Sequence, residues 1–167
     1  LFRSNGRAVD AVERGAYRAS ERWSRAACRL MRGEVGAGHP DTVHLANTLS
    51  RIVEVRGQLA EAETIARASV DAMAAINVDL EPVHRIRLES QTRLGDVLRA
   101  LGRYREAEPV LRAALSDATA RFGAHDNQTS TLLNELAIVL KYTRHRASII
   151  DAADTGPTCA GTCRDCP

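Results

Sequence analysis

The chain has 167 residues, 44% of them hydrophobic and only 4% aromatic, and a formal net charge of +2. That length suits one domain or one run of repeats, and the apolar fraction is too high for a disordered chain. No apolar stretch reaches the roughly 18–20 residues of a membrane span, and the near-balanced charge does not announce a nucleic-acid binder. Leucine and alanine dominate the apolar set, which favours helices. Lys141 is the single lysine beside 22 arginines. That choice favours forked contacts to carboxylates or phosphates.

Leu1-Phe2-Arg3-Ser4-Asn5-Gly6 carries no signal-peptide core, and the chain does not begin with Met. A piece of a longer protein in a cytoplasmic setting is expected. Gly15-Ala16-Tyr17, Gly57-Gln58-Leu59 and Gly102-Arg103-Tyr104 recur at intervals of 42 and 45 residues. Ser20-Glu21, Ala62-Glu63 or Ala107-Glu108 follows each, then Ala27, Ser69 or Ala114, and a small residue (Ala8, Ser50, Gly95) lies seven positions before each glycine. A fourth copy begins with Ala137 at the same offset. Glycine ends one helix by taking a left-handed backbone, and the large residue after it starts a second helix that folds back. Small residues on both helices let the axes approach.

The expected elements follow in chain order: a partial helix before Gly15, then helices over 17–33, 42–56, 59–77, 83–101, 104–121 and 127–142. Leu94, Val97, Leu98 and Leu101 make the apolar stripe of one helix, and Tyr104, Ala107, Leu111, Ala114 and Leu115 that of its partner. Trp23 is placed on a packing face. Pro40 and Pro82 fall at linkers, the second of which carries three extra residues around Glu81-Pro82 and His84. Gly33-x-x-Gly36-x-Gly38 reads as an inter-repeat turn, because it lacks the strand and the Lys-Ser/Thr of a phosphate loop. Each helix pair leaves an apolar face open, so pairs must stack into a solenoid.

This pattern resembles the tetratricopeptide repeat; Leu94-Gly95-x-x-Leu98, Gly102-x-Tyr104-x-x-Ala107 and Ala114 fit its signature. Gly36-x-x-His39-Pro40-Asp41-Thr42 with Asn47-x-Leu49 is similar to the longer repeat of kinesin light chains and their bacterial relatives, and 122–129 with Asn134-Glu135-Leu136-Ala137 is a degraded copy. The resemblance implies an all-α, right-handed superhelix over 1–144, about three and a half repeats; the abrupt change in composition after it predicts a non-repeat, irregular or disordered Cys-containing tail over 145–167. The resemblance also implies a protein-binding scaffold whose first helices line a concave groove, where asparagines hold the backbone of an extended peptide. Asn47 and Asn134 match that asparagine, Thr92 stands in the middle copy, and Arg51, Arg93 and Asp96 lie beside them.

A second candidate surface is a basic strip. Arg14, Arg18, Arg22, Arg25, Arg29 and Arg32 share one helix face at intervals of three and four. Such a strip is either a solvated face or a seat for an acidic partner, nucleic acid or an anionic membrane surface. The lack of interleaved aromatics argues against nucleic acid. Past Tyr142 the repeat lacks its glycine and small residues, so no partner helix is expected. The helix at 127–142 then offers a face for self-association.

Cys159-x3-Cys163-x2-Cys166 has the spacing that holds three irons of a four-iron cluster in radical S-adenosylmethionine enzymes. Only Pro167 follows it and no barrel pattern surrounds it, so a cysteine-rich tail is expected, with zinc and His145 as the alternative. The histidines show no metal spacing, and no nucleophile–base constellation occurs. The reading is therefore of a binding module rather than an enzyme, with no cofactor and no metal.

Overall fold

The structure is a computed structural model that describes residues 16–154, with side chains described to Arg144. Arg14, Gly15, the preceding partial helix and the Cys159/Cys163/Cys166 set lie outside those residues, as does the side chain of His145. Among the described residues there are helices and no strands: α1 (Tyr17–Val35), α2 (Pro40–Val55), α3 (Leu59–Ala74), α4 (Glu81–Ala100), α5 (Tyr104–Phe122) and α6 (Asn127–Asp154). Each helix packs on its neighbours in sequence. In addition α2 packs on α4 and α4 on α6, so these three form a continuous inner layer, while α1, α3 and α5 stand behind it. This is the all-α repeat solenoid that the glycine spacing predicts.

The turns inside each pair are built as expected. Gly57 and Gly102 have φ of 79° and 73°. The Gly57 N–H donates to the Glu54 carbonyl and the Gln58 N–H to that of Val53; Gly102 and Arg103 repeat this toward Arg99 and Leu98. These paired bonds satisfy carbonyls that a helix end otherwise leaves open.

The links between pairs differ from one another. Gly36 and Gly123, at φ 93° and 84°, end α1 and α5. Thus α1 runs through Gly33, where its end is expected, and stops at Val35. No glycine ends α3. Instead the Arg87 guanidinium reaches back from α4 and donates to the carbonyls of Met73 (3.4 Å) and Ile76 (2.8 Å). Proline also sits inside helices rather than between them. Pro40 and Pro82 occupy the first turns of α2 and α4, where a missing N–H costs no bond. The three extra residues of the middle repeat therefore lengthen α4 to 20 residues against 16 for α2. His39 caps α2, its Nδ1 accepting from the Asp41 N–H, whereas its counterpart His84 lies inside α4, buried, with Nε2 2.7 Å from Asp79.

Two expectations need correction. The inner face of α1 is Ser20, Glu21, Ser24, Ala27, Cys28 and Met31, the stripe that meets α2. Trp23, expected to pack, is 40% exposed, and Leu30 is more exposed still; at ~100° per residue neither can share that stripe. The last helix also runs past its expected end near Tyr142 to Asp154. Tyr142 stacks on Tyr104 with ring centroids 5.1 Å apart, so this position anchors α6 within its length.

Packing between pairs is carried by one large cluster (Leu88, Leu94, Leu98, Leu111, Leu132, Leu136, Val139 and small residues between them) and a second around Leu49, Val53, Ala62 and Val97. Ala62, Ala107 and Ala114, small positions that the repeat pattern singles out, have no exposed surface, and neither has Ala66.

Candidate functional site

The inner layer carries a cleft of about 240 Å³, lined by Asn47, Thr48 and Arg51 of α2, Glu89, Thr92, Arg93 and Asp96 of α4, and Asn127, Gln128 and Thr131 of α6. Five of the six residues expected in a groove thus come together. Asn134, the sixth, is exposed on α6 and does not line it. The cleft takes the middles of α2 and α4 but only the first turn of α6, so it crosses the inner layer obliquely. Repeat register keeps a residue's place along its own helix and does not follow that slant.

The polar state of the lining follows from its hydrogen bonds. Asn47 is almost fully buried, and its Nδ2 donates to Ser90 Oγ at 3.0 Å across the α2–α4 junction. The Ser90 hydroxyl donates in turn to the Ile86 carbonyl, so it can only accept from Asn47. That chain fixes the amide orientation and leaves Asn47 Oδ1 as an acceptor with no hydrogen-bond partner among the described residues. Gln128 Nε2 is committed to the Arg85 carbonyl at 2.8 Å, and Thr92 Oγ1 to that of Leu88.

Charge is distributed unevenly. Arg51 is exposed at the cleft. Arg93 is nearly buried and pairs with Glu54 of α2 and, at 3.6 Å, with Asp96. Burial first, and Glu135 of α6 second, push the Asp96 carboxyl up to about 7 against the opposing pull of Arg93 and Arg99. Beside the cleft, His44 of α2 meets Glu89 of α4 at 2.9 Å, and that hydrogen bond raises its pKa above the ordinary imidazole value.

Sequence reasoning misses Thr48, Glu89, Asn127, Gln128 and Thr131. The signal is present: 48 and 51, 89, 92, 93 and 96, and 127, 128 and 131 each share a helix face by their spacing. A search for one asparagine per repeat hides them.

The basic strip is divided. Arg25 bridges Glu21 and Glu61 at 2.8 and 2.7 Å, and Glu21, itself buried, also pairs with Arg56 from the next turn. Arg25 therefore joins α1 to α3, and Glu21 joins α1 to the turn after α2. Arg18, Arg22, Arg29 and Arg32 are exposed and make no ion pair among the described residues. The same device recurs one repeat later, where Arg103 binds Glu63 at 2.7 Å and Glu106 at 2.6 Å. In both cases the Glu that follows the repeat glycine takes an arginine from the following repeat's turn.

Among the described residues no group of three or more His, Cys, Asp or Glu side chains could hold a metal ion, and no helix is long and apolar enough to cross a membrane. Cys28 is free and buried, and burial pushes its thiol up, away from the reactive thiolate.

Residues 86–152 match the family model of the tetratricopeptide repeat. No curated protein matches the chain in sequence. Among solved structures, crystallised TPR-like repeats of nearly identical sequence, described as a Podosopora anserina kinesin light chain, superpose with a TM-score of 0.64 at 18% identity, over 88% of this chain and 68% of that one. A single-substitution form of those repeats gives 0.45 at 14% identity, over 93% and 92%.

Proposed function

With the chain taken as an array of tetratricopeptide repeats similar in fold to those of a kinesin light chain, we propose that it is a protein-binding scaffold that holds an extended segment of a partner across its inner layer. The observation that carries this reading is the Asn47 amide. Its Oδ1 is buried, fixed in direction and without a hydrogen-bond partner among the described residues, and Asn47 itself lines the cleft. A buried acceptor left unmade costs about 1–3 kcal/mol, and a backbone N–H of an extended ligand satisfies it. Threonine, glutamine and asparagine side chains around it supply further polar contacts at low entropic cost. Arg51 offers an exposed charge at the same cleft.

The mechanism is capture rather than chemistry: an extended peptide lies across α2, α4 and α6, its main chain read by hydrogen bonds. Substitution at Asn47 also breaks its bond to Ser90, so Thr92 is the better handle. A photo-crosslinking amino acid at Thr92 should join partner proteins far more efficiently than the same group at Ala113 on the exposed side of α5. Equal yields from both positions would defeat the groove reading. Thr131→Arg, which fills the α6 side of the cleft, should abolish the Thr92 crosslinks while leaving the helical circular dichroism unchanged.

A second reading is self-association through α6, favoured by Leu133, which is half exposed on that helix. Sedimentation equilibrium across a hundredfold concentration range distinguishes it, since a constant monomer mass excludes a dimer of useful strength.

A further inference from the structure

The floor of the inner layer holds a run of charges that no hydrogen-bond requirement of the repeat explains. Glu54 of α2, Arg93, Asp96 and Arg99 of α4, and Glu135 of α6 form one chain of ion pairs. Their side chains are between 10% and 32% exposed, so water screens them poorly. Three carboxylates face two guanidiniums, and the fully ionised cluster carries an excess negative charge. The outer contacts are also loose: Arg99 lies 3.9 Å from Asp96 and 3.3 Å from Glu135. Asp96 Oδ1 and Glu135 Oε2 are both buried without a hydrogen-bond partner among the described residues. Arg99 Nε, which faces Glu135, is likewise buried without a hydrogen bond among the described residues, so the shared guanidinium engages neither acceptor, and a proton resolves such an arrangement.

We propose that Asp96 and Glu135 hold one proton between them, and that its loss opens the α4–α6 junction and alters the cleft that Asp96 lines. Its uptake neutralises the cluster and turns a repelling carboxylate pair into a donor–acceptor pair across two inner helices. The other charged groups facing this site are Arg93 and Arg99 on the same helix, and Glu54, which reaches it through Arg93. Arg51 lines the cleft from α2, and the His44–Glu89 pair stands at the cleft. The helices on the other side of α4, α3 and α5, place no charge in the cluster.

The sign follows from the direction of the shift. Burial and Glu135 raise the Asp96 carboxyl from its ordinary value to about 7. Its stabilising contribution is therefore complete below the unfolded-state value, 3.8, and is lost as pH rises through 7. The raised His44 imidazole loses stability in the same direction, so the informative quantity is the difference between proteins.

The test is a carboxyl-carbon NMR titration of the full chain from pH 4 to 8, with Asp96→Asn to assign the resonance and Glu135→Gln as a second variant. The Asp96 carboxyl should titrate near 7, and Glu135→Gln should lower that midpoint by about one pH unit. Amide signals of Thr92 and Gln128 should follow the same midpoint in the wild type and lose that transition in Asp96→Asn. Urea midpoints should fall from pH 5.5 to 8 in the wild type by more than in Asp96→Asn. If no carboxyl titrates above about 5.5, the shared proton is disproved. If Asp96 titrates near 7 while the amides stay still, its coupling to the cleft is disproved. Should Asp96→Asn not fold, the wild-type titration and its shift in Glu135→Gln decide the same questions.

Discussion

The α2–α3 pair and the α4–α5 pair occupy the same place in successive repeats and close their contact in opposite ways. In the first, Ser50 is fully buried and its hydroxyl donates to the Ala62 carbonyl across the pair, opposite the small Ala66. In the second, Gly95 stands where Ser50 does and Leu111 where Ala66 does. A Cβ on Gly95 would lie 2.5 Å from Leu111 Cδ2 and 2.7 Å from its Cγ. One pair has a side chain on the first helix and room on the second; the other has the reverse. What the repeat preserves is the distance between helix axes, and the two positions trade volume to keep it.

The largest effects should come from breaking this trade on one side only. Leu111→Ala should cost about 2–5 kcal/mol by leaving a cavity in the main cluster, and Gly95→Ser about 1–3 kcal/mol by overpacking. The double variant Gly95→Ser with Leu111→Ala imports the solution of the first pair. Its loss, read from urea unfolding, should be at least 1 kcal/mol less than the sum of the singles. Strict additivity would show that the two positions are not exchanging volume.

The linkers give a second, smaller contrast. Arg87→Met leaves the Met73 and Ile76 carbonyls without the guanidinium that replaces a terminal glycine, and should cost about 1–2 kcal/mol. Hydrogen exchange should quicken first in the 74–80 segment. The second helices differ too. Pro109 lies inside α5 where α3 has Thr64, and it removes one helix bond. Pro109→Thr should raise the unfolding midpoint modestly, by the equivalent of about 1 kcal/mol; a loss of stability would show that the proline shapes a contact. The smallest effect belongs to the exposed arginine bridges. Arg103→Met should weaken the α3–α5 joint slightly, and the difference from wild type should vanish in 1 M salt.

Much of the fold is legible in the sequence because its punctuation is chemical. Gly57 and Gly102 are in the left-handed region that their spacing predicts, and Ala62, Ala107 and Ala114 are buried where small residues recur. The middle linker is less legible. Glu81-Pro82 reads as a linker signal, yet proline is equally at home in a first helical turn, and only the three-dimensional position of Arg87 shows how α3 ends without glycine. Trp23 misleads because it lies on the side away from the arginine face, whereas the stripe that meets α2 is Ser20, Glu21, Ser24, Ala27, Cys28 and Met31. The candidate site is half legible. Asn47, Arg51, Thr92, Arg93 and Asp96 follow from register, but the α6 side of the cleft comes from Asn127, Gln128 and Thr131 because neighbouring helices are tilted. The Asp96–Glu135 contact is beyond reach, since 39 residues of chain separate two carboxylates with no pattern to pair them.

The two layers also imply a mechanical property. The inner helices are bound to one another by packed side chains as well as by the ion pairs of Arg93 and Arg99, and the packed side chains resist separation over very short distances. The outer helices are tied mainly by guanidinium–carboxylate bridges such as Arg103–Glu63 and Arg67–Glu106, whose planar groups can slide and reform over several tenths of an ångström. Such a body bends about its inner layer as a leaf spring bends about its stiff face. Changes in curvature should therefore be taken up along the arginine-rich back, and an applied tension would stretch that back before it parted the inner helices.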